Sequence, residues 1–165
     1  RNNLFYSDEE YDYETEMLSD YLEYDTNQTV VLYEVDYVKT NVNDVYKETE
    51  RNTDIRYKPP KEIPCLYEIK NSQNKSYDSK TSNAVYMISG NVTLYVLSST
   101  LEKYHCDIKR GDYIGIQIDE KKMYYFTVIN DGKINNYNSL FVGAYKSPWR
   151  VVECAPVTDD EFTGK

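Results

Sequence analysis

The chain contains one histidine, His105, directly beside Cys106. A Cys–His nucleophile requires the two side chains to converge, whereas neighbours near the end of an extended strand, where this pair is expected, point to opposite faces. A Ser–His–Asp arrangement would have to use the same His105 as its base, and no serine stands in a Gly-x-Ser-x-Gly elbow. Cys65, Cys106 and Cys154 fit neither a Cys-x-x-Cys pair nor a Cys/His zinc spacing. An odd set cannot pair completely within one chain. Two of the three could bridge, but they read first as small buried hydrophobes of a reducing compartment. The acids clustered over residues 8–25 lack the Asp-x-Asp-x-Asn-Gly loop of an EF-hand. Paired carboxylates for glycoside hydrolysis need a cleft of defined width, which spacing along the chain does not supply. No glycine-rich phosphate-cradling pattern occurs. The expectation is a protein with no catalytic residues, no metal and no cofactor, and not an enzyme. Arg110-Gly111-Asp112 spells a tripeptide that integrins recognise. Directly before an isoleucine-alternating segment it reads instead as a turn, with Gly taking an unusual φ and Asp capping its own backbone.

Charge separates the chain into two parts. Residues 1–25 hold nine acids, Asp8, Glu9, Glu10, Asp12, Glu14, Glu16, Asp20, Glu23 and Asp25, against Arg1 alone. Subtracting these from the chain's 28 acids and 19 bases leaves 19 against 18, so the body is nearly neutral and the arm carries the charge. Nucleic-acid binding draws on Lys and Arg displacing counterions from phosphates, and this balance offers no such stripe. No stretch approaches the roughly 20 apolar residues of a membrane span, and Leu4-Phe5-Tyr6 is too short for a secretory apolar core. A soluble domain is expected. The sequons at Asn27, Asn74 and Asn91 are no more than an Asn- and Ser/Thr-rich chain produces by chance. The 19 tyrosines, alongside abundant Asn, Lys and Ile, match A/T-rich codon usage first; they also suit a protein that meets other proteins, where Tyr is enriched.

The elements that must carry these residues follow from period and turn chemistry. Ser7 with Glu10 is a capping box, with acids in the first turn where the helix dipole favours them. Leu18, Tyr21 and Leu22 fall on one helical face with Tyr11 and Met17, a thin stripe that needs a packing partner on the body or a neighbouring subunit. From Thr29 to Val38 the pattern turns to period two, with Val31, Tyr33, Val35 and Tyr37 on one face and Glu34 and Asp36 on the other. A long loop is expected over 39–62, and a polar, low-complexity loop over 70–83. Further strands are predicted at 63–69, 84–88, 92–97, 113–119, 123–129, 140–145 and 149–154. Turns are predicted at 89–91, 120–122 and 131–132. With no helical period after residue 26, the fold class is mainly β, an antiparallel β-barrel or sandwich with an acidic, partly helical N-terminal arm and a long loop. The arm is assigned to 1–28, the β domain to 29–158 and an acidic C-terminal tail to 159–165.

The segment Val35-Asp36-Tyr37-Val38-Lys39-Thr40-Asn41-Val42-Asn43-Asp44-Val45-Tyr46-Lys47-Glu48 resembles the stretch after the first strand in neck, or head-closure, proteins of tailed bacteriophages. There an Asp-x-x-Tyr-Gly-Glu element sits in a long arm. Here Asp44 and Glu48 bracket Tyr46, and Lys47 stands at the usual Gly, which removes freedom at positive φ. The late order of elements is similar too, from Lys109-Arg110-Gly111-Asp112-Tyr113-Ile114 through a hairpin to Trp149-Arg150-Val151-Val152-Glu153-Cys154, so that about half the chain takes part. The resemblance implies a structural virion protein of the head-to-tail connector: a homo-oligomeric ring that joins portal or adaptor to tail proteins and helps to close or line the DNA channel. It implies at most passive contact with DNA, no membrane, and a place in the neck of a virion assembled in the host cytoplasm. Its interface candidates are Tyr37, Lys39, Asn43, Asp44, Tyr46 and Glu48, with the acidic arm facing either the channel or a partner. The alternative is a β-sandwich binding module of a viral surface or carbohydrate-recognition protein, with Trp149 and exposed Tyr as a stacking platform.

Overall fold

The computed structural model describes residues 7–40, 55–70, 90–119, 122–133, 147–157 and 161–162. Helix α1 (Asp8–Asp20) leads into a wider π turn (Tyr21–Thr26), followed by strands β1 (Thr29–Tyr33), β2 (Lys61–Pro64), β3 (Leu66–Ile69) and β4 (Val92–Leu97). A short helix α2 (Ser98–Lys103) and strands β5 (Tyr113–Asp119), β6 (Lys122–Asn130) and β7 (Trp149–Pro156) complete the described chain. All seven strands join one antiparallel sheet in the order β2-β1-β5-β6-β7-β4-β3. The two outermost strands are consecutive in the chain, separated only by Cys65. A continuous stretch therefore pairs with β1 through its first half and with β4 through its second. Among the described residues no ladder joins β2 to β3, so the sheet is not closed into a hydrogen-bonded barrel; its ends are joined by the chain itself.

Period-two alternation explains the core. Val30 and Leu32, Ile63, Val92, Leu94 and Val96, Ile114 and Ile116, Phe126 and Val128, and Val152 and Cys154 all turn inward from their strands and form one buried cluster. Burying each large aliphatic or aromatic side chain contributes about 1.5–3 kcal/mol. Leu101 of α2 and Ile108 join the same cluster. Cys65 and Cys154 are buried, Cys106 is half-buried and all three are free, as small hydrophobes should be. Burial pushes the Cys65 and Cys154 thiols up to about 12, which keeps them protonated.

Several expectations are corrected. The 29–38 strand ends at Tyr33, and its core face is Val30 and Leu32 rather than the Val31/Tyr33 face. Beyond it the Asp36 carboxylate accepts from the Val38 N–H at 3.1 Å, an Asx turn that competes with strand pairing. Residues 55–58, assigned to the loop, run back along 34–36: Val35 bridges Tyr57, and Asp36 N–H donates to the Arg56 carbonyl at 2.8 Å. Residues 61 and 62 already belong to β2, and the expected 63–69 strand is divided at Cys65. Helix α2 was not anticipated, because its six residues are too few to show a helical period. His105 lies after that helix, not at a strand end, with a left-handed φ of 49°. On the arm, Met17 and Tyr21 are exposed rather than part of the inner stripe. Within the segment assigned to the tail, Phe162 is buried among Tyr33, Tyr57, Tyr113 and Tyr125. Segments 84–88 and 140–145 lie outside the described residues, as do 71–83 and 41–54.

Candidate functional site: an acidic helix and a basic knob

Helix α1 starts as its sequence requires. The Ser7 hydroxyl accepts from Glu10 N–H at 3.2 Å, and the Glu10 carboxylate accepts from Ser7 N–H at 2.8 Å, so the capping box closes. Tyr11, Thr15, Leu18 and Leu22 recur at three- and four-residue spacing and face the body, with Leu22 fully buried. Where the arm reaches α2, Lys103 Nζ meets Glu23 Oε1 at 2.6 Å. The opposite face carries a second apolar stripe. Tyr13, Met17, Tyr21 and Tyr24 are 65%, 55%, 48% and 77% exposed, values far above those of core side chains. Helical geometry sets Glu9, Glu16 and Asp20 along one border of this stripe and Glu10 and Glu14 along the other. Asp8, Asp12 and Asp25 are exposed on the same arm. Among the described residues from 7 to 26 there is no Lys or Arg.

A second surface is assembled from three separate segments. The turn 36–40, the strip 55–58 and the turn 109–112 come together, and Asp112 is the centre that binds them. Asp112 is 1% exposed, with Oδ1 accepting from Val35 N–H at 3.0 Å and Oδ2 from Lys109 N–H at 2.8 Å. Burial pushes this carboxyl above the usual carboxylate range, against the pull of the two N–H groups. Gly111, at φ 94°, lets the turn close, and Tyr37 Oη lies 3.5 Å from the Arg110 carbonyl. Thr40 Oγ1 donates to the Asp36 carbonyl at 2.7 Å and accepts from Arg56 N–H at 3.1 Å. The Arg110-Gly111-Asp112 tripeptide is thus a turn, as read, and its aspartate also fixes the end of β1.

The outcome is a knob whose exposed polar groups are mostly basic. Lys39, Arg56, Lys58, Lys109 and Arg110 are all exposed, while the acids beneath them are engaged. Glu34 is buried and bonded to Lys58 at 2.6 Å, a contact that raises the Lys58 pKa; Asp36 holds its own turn and faces Lys39 at 3.6 Å. At the tip stand Tyr37, 55% exposed, and Val38, 95% exposed.

Of the interface candidates, Tyr37 and Lys39 are on this knob, and Asn43, Asp44, Tyr46 and Glu48 lie outside the described residues. The sequence reading missed Val38, Arg56, Lys58, Lys109 and Arg110, because bases contributed by three distant segments leave no local signal. It also missed the outer stripe, although the 13/17/21/24 spacing was present as a signal. Near the knob, His105 is exposed, the Cys106 thiol points to the Leu101 carbonyl at 3.7 Å, and burial raises its pKa, which disfavours a thiolate. Trp149 is half-buried at the start of β7, paired with Leu97. Among the described residues no group of three or more His, Cys, Asp or Glu is placed to hold a metal, and no helix is long and apolar enough to cross a membrane.

Asp112→Ala is expected to leave the buried Val35 N–H and the part-buried Lys109 N–H without their acceptor and to loosen the knob at a net cost of about 2 kcal/mol, since removing a desolvated charge offsets part of the lost charged hydrogen bonds. Amide hydrogen exchange checks this: the Val35 and Lys109 amides should lose protection while those of β4 and β7 keep theirs. Equal protection at Val35 and Lys109 in both proteins would remove Asp112 from its central role.

Comparison of the chain with protein-family models, with curated proteins and with solved structures found no match.

Proposed function

We propose that this chain is a structural subunit of the head-to-tail connector ring of a tailed bacteriophage, linking portal to tail and helping to close or line the DNA channel. The observation that carries the reading is the pair of unlike surfaces on one chain: a helix with an exposed aromatic stripe bordered by acids, and a basic knob with an apolar tip. Ring subunits meet head to tail through two different surfaces, and a subunit of this kind must display both before it assembles. The resemblance of residues 35–48 and of the late strand order to neck proteins supplies the particular assembly, and Tyr37 and Lys39 of that segment stand on the knob. The role is carried by shape and contact and needs no cofactor. Acids facing a DNA channel repel phosphates and keep a passing duplex from adhering, so contact with DNA is passive. The place of action is the neck of the virion, reached by assembly in the host cytoplasm.

The test is to mix the purified full chain with portal and tail complexes of its phage at low and high ionic strength and image the products. Rings of this chain seated between portal and tail are expected. A chain that stays monomeric and unbound in every mixture would overturn the reading.

A further inference from the structure

Two exposed surfaces on one chain raise the question of what covers each. They are not covered by one another within the chain, because the stripe residues Tyr13, Met17, Tyr21 and Tyr24 and the tip residues Tyr37 and Val38 are all at least 48% exposed in the same structure. From their chemistry we infer that the outer face of α1 and the π turn in one copy docks on the knob of the next copy, with Tyr37 and Val38 against the aromatic stripe and Arg56 and Arg110 against its acidic borders. This inference rests on the ring reading above and names the interface within the ring.

Three observations select a second copy as the occupant. The first is charge complementarity. The described arm from 7 to 26 has no base, whereas the knob presents Lys39, Arg56, Lys58, Lys109 and Arg110, of which Arg56 and Arg110 have no ion-pair partner among the described residues, so juxtaposing the two sets opposite charges against each other. The second is the match of apolar parts. An open groove bordered by Glu9, Glu14, Tyr13, Met17 and Tyr21 runs along the helix, and the knob supplies an exposed apolar tip in Tyr37 and Val38. The third is that the like-to-like alternative is penalised. A two-fold arrangement pairing arm with arm would set acid against acid on both borders, and one pairing knob with knob would set base against base. Arm on knob is heterologous, so repetition of the same contact generates a ring when the rotation closes.

Charge reversal and its rescue test the pairing. The full chain, an arm variant (Glu14→Lys with Glu16→Lys), a knob variant (Arg56→Glu with Arg110→Glu) and the four-substitution combination are each examined by sedimentation velocity at low ionic strength, with and without portal. The four positions are exposed, and none has an ion-pair partner among the described residues. Circular dichroism confirms that each protein is folded. Each single-surface variant is expected to weaken copy-to-copy association at least about tenfold, and the combination to return it to within about threefold of the original, since restored opposite charges recover the interaction. Should a reversal variant fail to fold, Tyr24→Ala and Val38→Ala make the same test on the apolar contact and should each weaken association. Rings that persist unchanged in the single-surface variants overturn this interface while leaving the ring reading standing. Losses in both variants without recovery in the combination overturn the pairing of these two surfaces. An original chain that forms no ring with or without portal overturns both the pairing and the reading on which it rests.

Discussion

Gly132→Ala is expected to destabilise the fold by about 3–5 kcal/mol, the sum of placing a side chain at left-handed φ and of forcing atoms into a filled space. Gly132 sits at φ 68°, and a Cβ there would meet the Val151 carbonyl oxygen at 2.1 Å and the Val151 carbonyl carbon at 2.7 Å. Both are backbone atoms of β7, so no rotamer change relieves the overlap. The strand itself must move. Around this contact Arg150 holds three groups together. Its Nε donates to the Asp131 carbonyl at 2.6 Å, its Nη1 meets Asp107 Oδ1 at 2.7 Å, and its Nη2 donates to the Ile108 carbonyl. Burial alone would raise the Asp107 carboxyl, but Arg150 and Lys133 hold it below the ordinary range. A methyl at Gly132 pushes β7 from this network and from β6. For a domain of this size the loss corresponds to a fall of about 10 °C in Tm, which thermal unfolding followed by circular dichroism checks. A Tm within about 2 °C of the original would mean that the turn and β7 do not approach as described.

Phe162→Ala is expected to cost about 3 kcal/mol and to loosen the knob while leaving the main core in place. The Phe162 ring lies 4.9, 5.3, 5.1 and 4.4 Å from the rings of Tyr33, Tyr57, Tyr113 and Tyr125. Two of these tyrosines adjoin the knob in sequence: Tyr57 stands between Arg56 and Lys58, and Tyr113 follows Asp112. Phe162 therefore braces the segments that present the bases. Burial, foremost, raises the Tyr113 phenol to about 12, so its hydroxyl stays neutral in the neutral pH range. Near-ultraviolet circular dichroism should lose intensity in Phe162→Ala, and amides of 55–58 should exchange faster than those of β4. Phe162→Leu, which fills much of the same volume, should retain most of the stability. Unchanged exchange at 55–58 in the alanine variant would separate the tail from the knob.

The parts of the fold legible in the sequence are those governed by local rules. Ser7 with Glu10 announced a helix start, and the isoleucine alternation of 113–119 announced β5 to the residue. The 92–97 strand was legible as an element, and the strand predicted at 123–129 extends one residue further at each end, taking Lys122 from the expected turn. The parts that were not legible depend on contacts distant in sequence. Both faces of β1 are apolar, and alternation alone could not reveal that Val30 and Leu32 take the core while Tyr33 joins the Phe162 cluster. Phe162 itself stands among acids, where local composition reads as tail, and the tyrosines of β1, β5 and β6 together with Tyr57 make it a core residue. The knob was half legible, since Tyr37 and Lys39 stood out as interface candidates. Arg56, Lys58 and Arg110 join them only because a buried aspartate, Asp112, ties three segments to one point.

Zero-length carbodiimide cross-linking of heavy-nitrogen-labelled and unlabelled copies, mixed before assembly, tests the central claim most directly, because it joins only lysines and carboxylates already in contact. Lys103 and Glu23, 2.6 Å apart within one chain, supply the same-isotope control. The account predicts mixed-isotope peptides joining Lys39, Lys58 or Lys109 to Glu9, Glu14, Glu16 or Asp20. Recovery of the Lys103–Glu23 link together with only same-isotope products would contradict it.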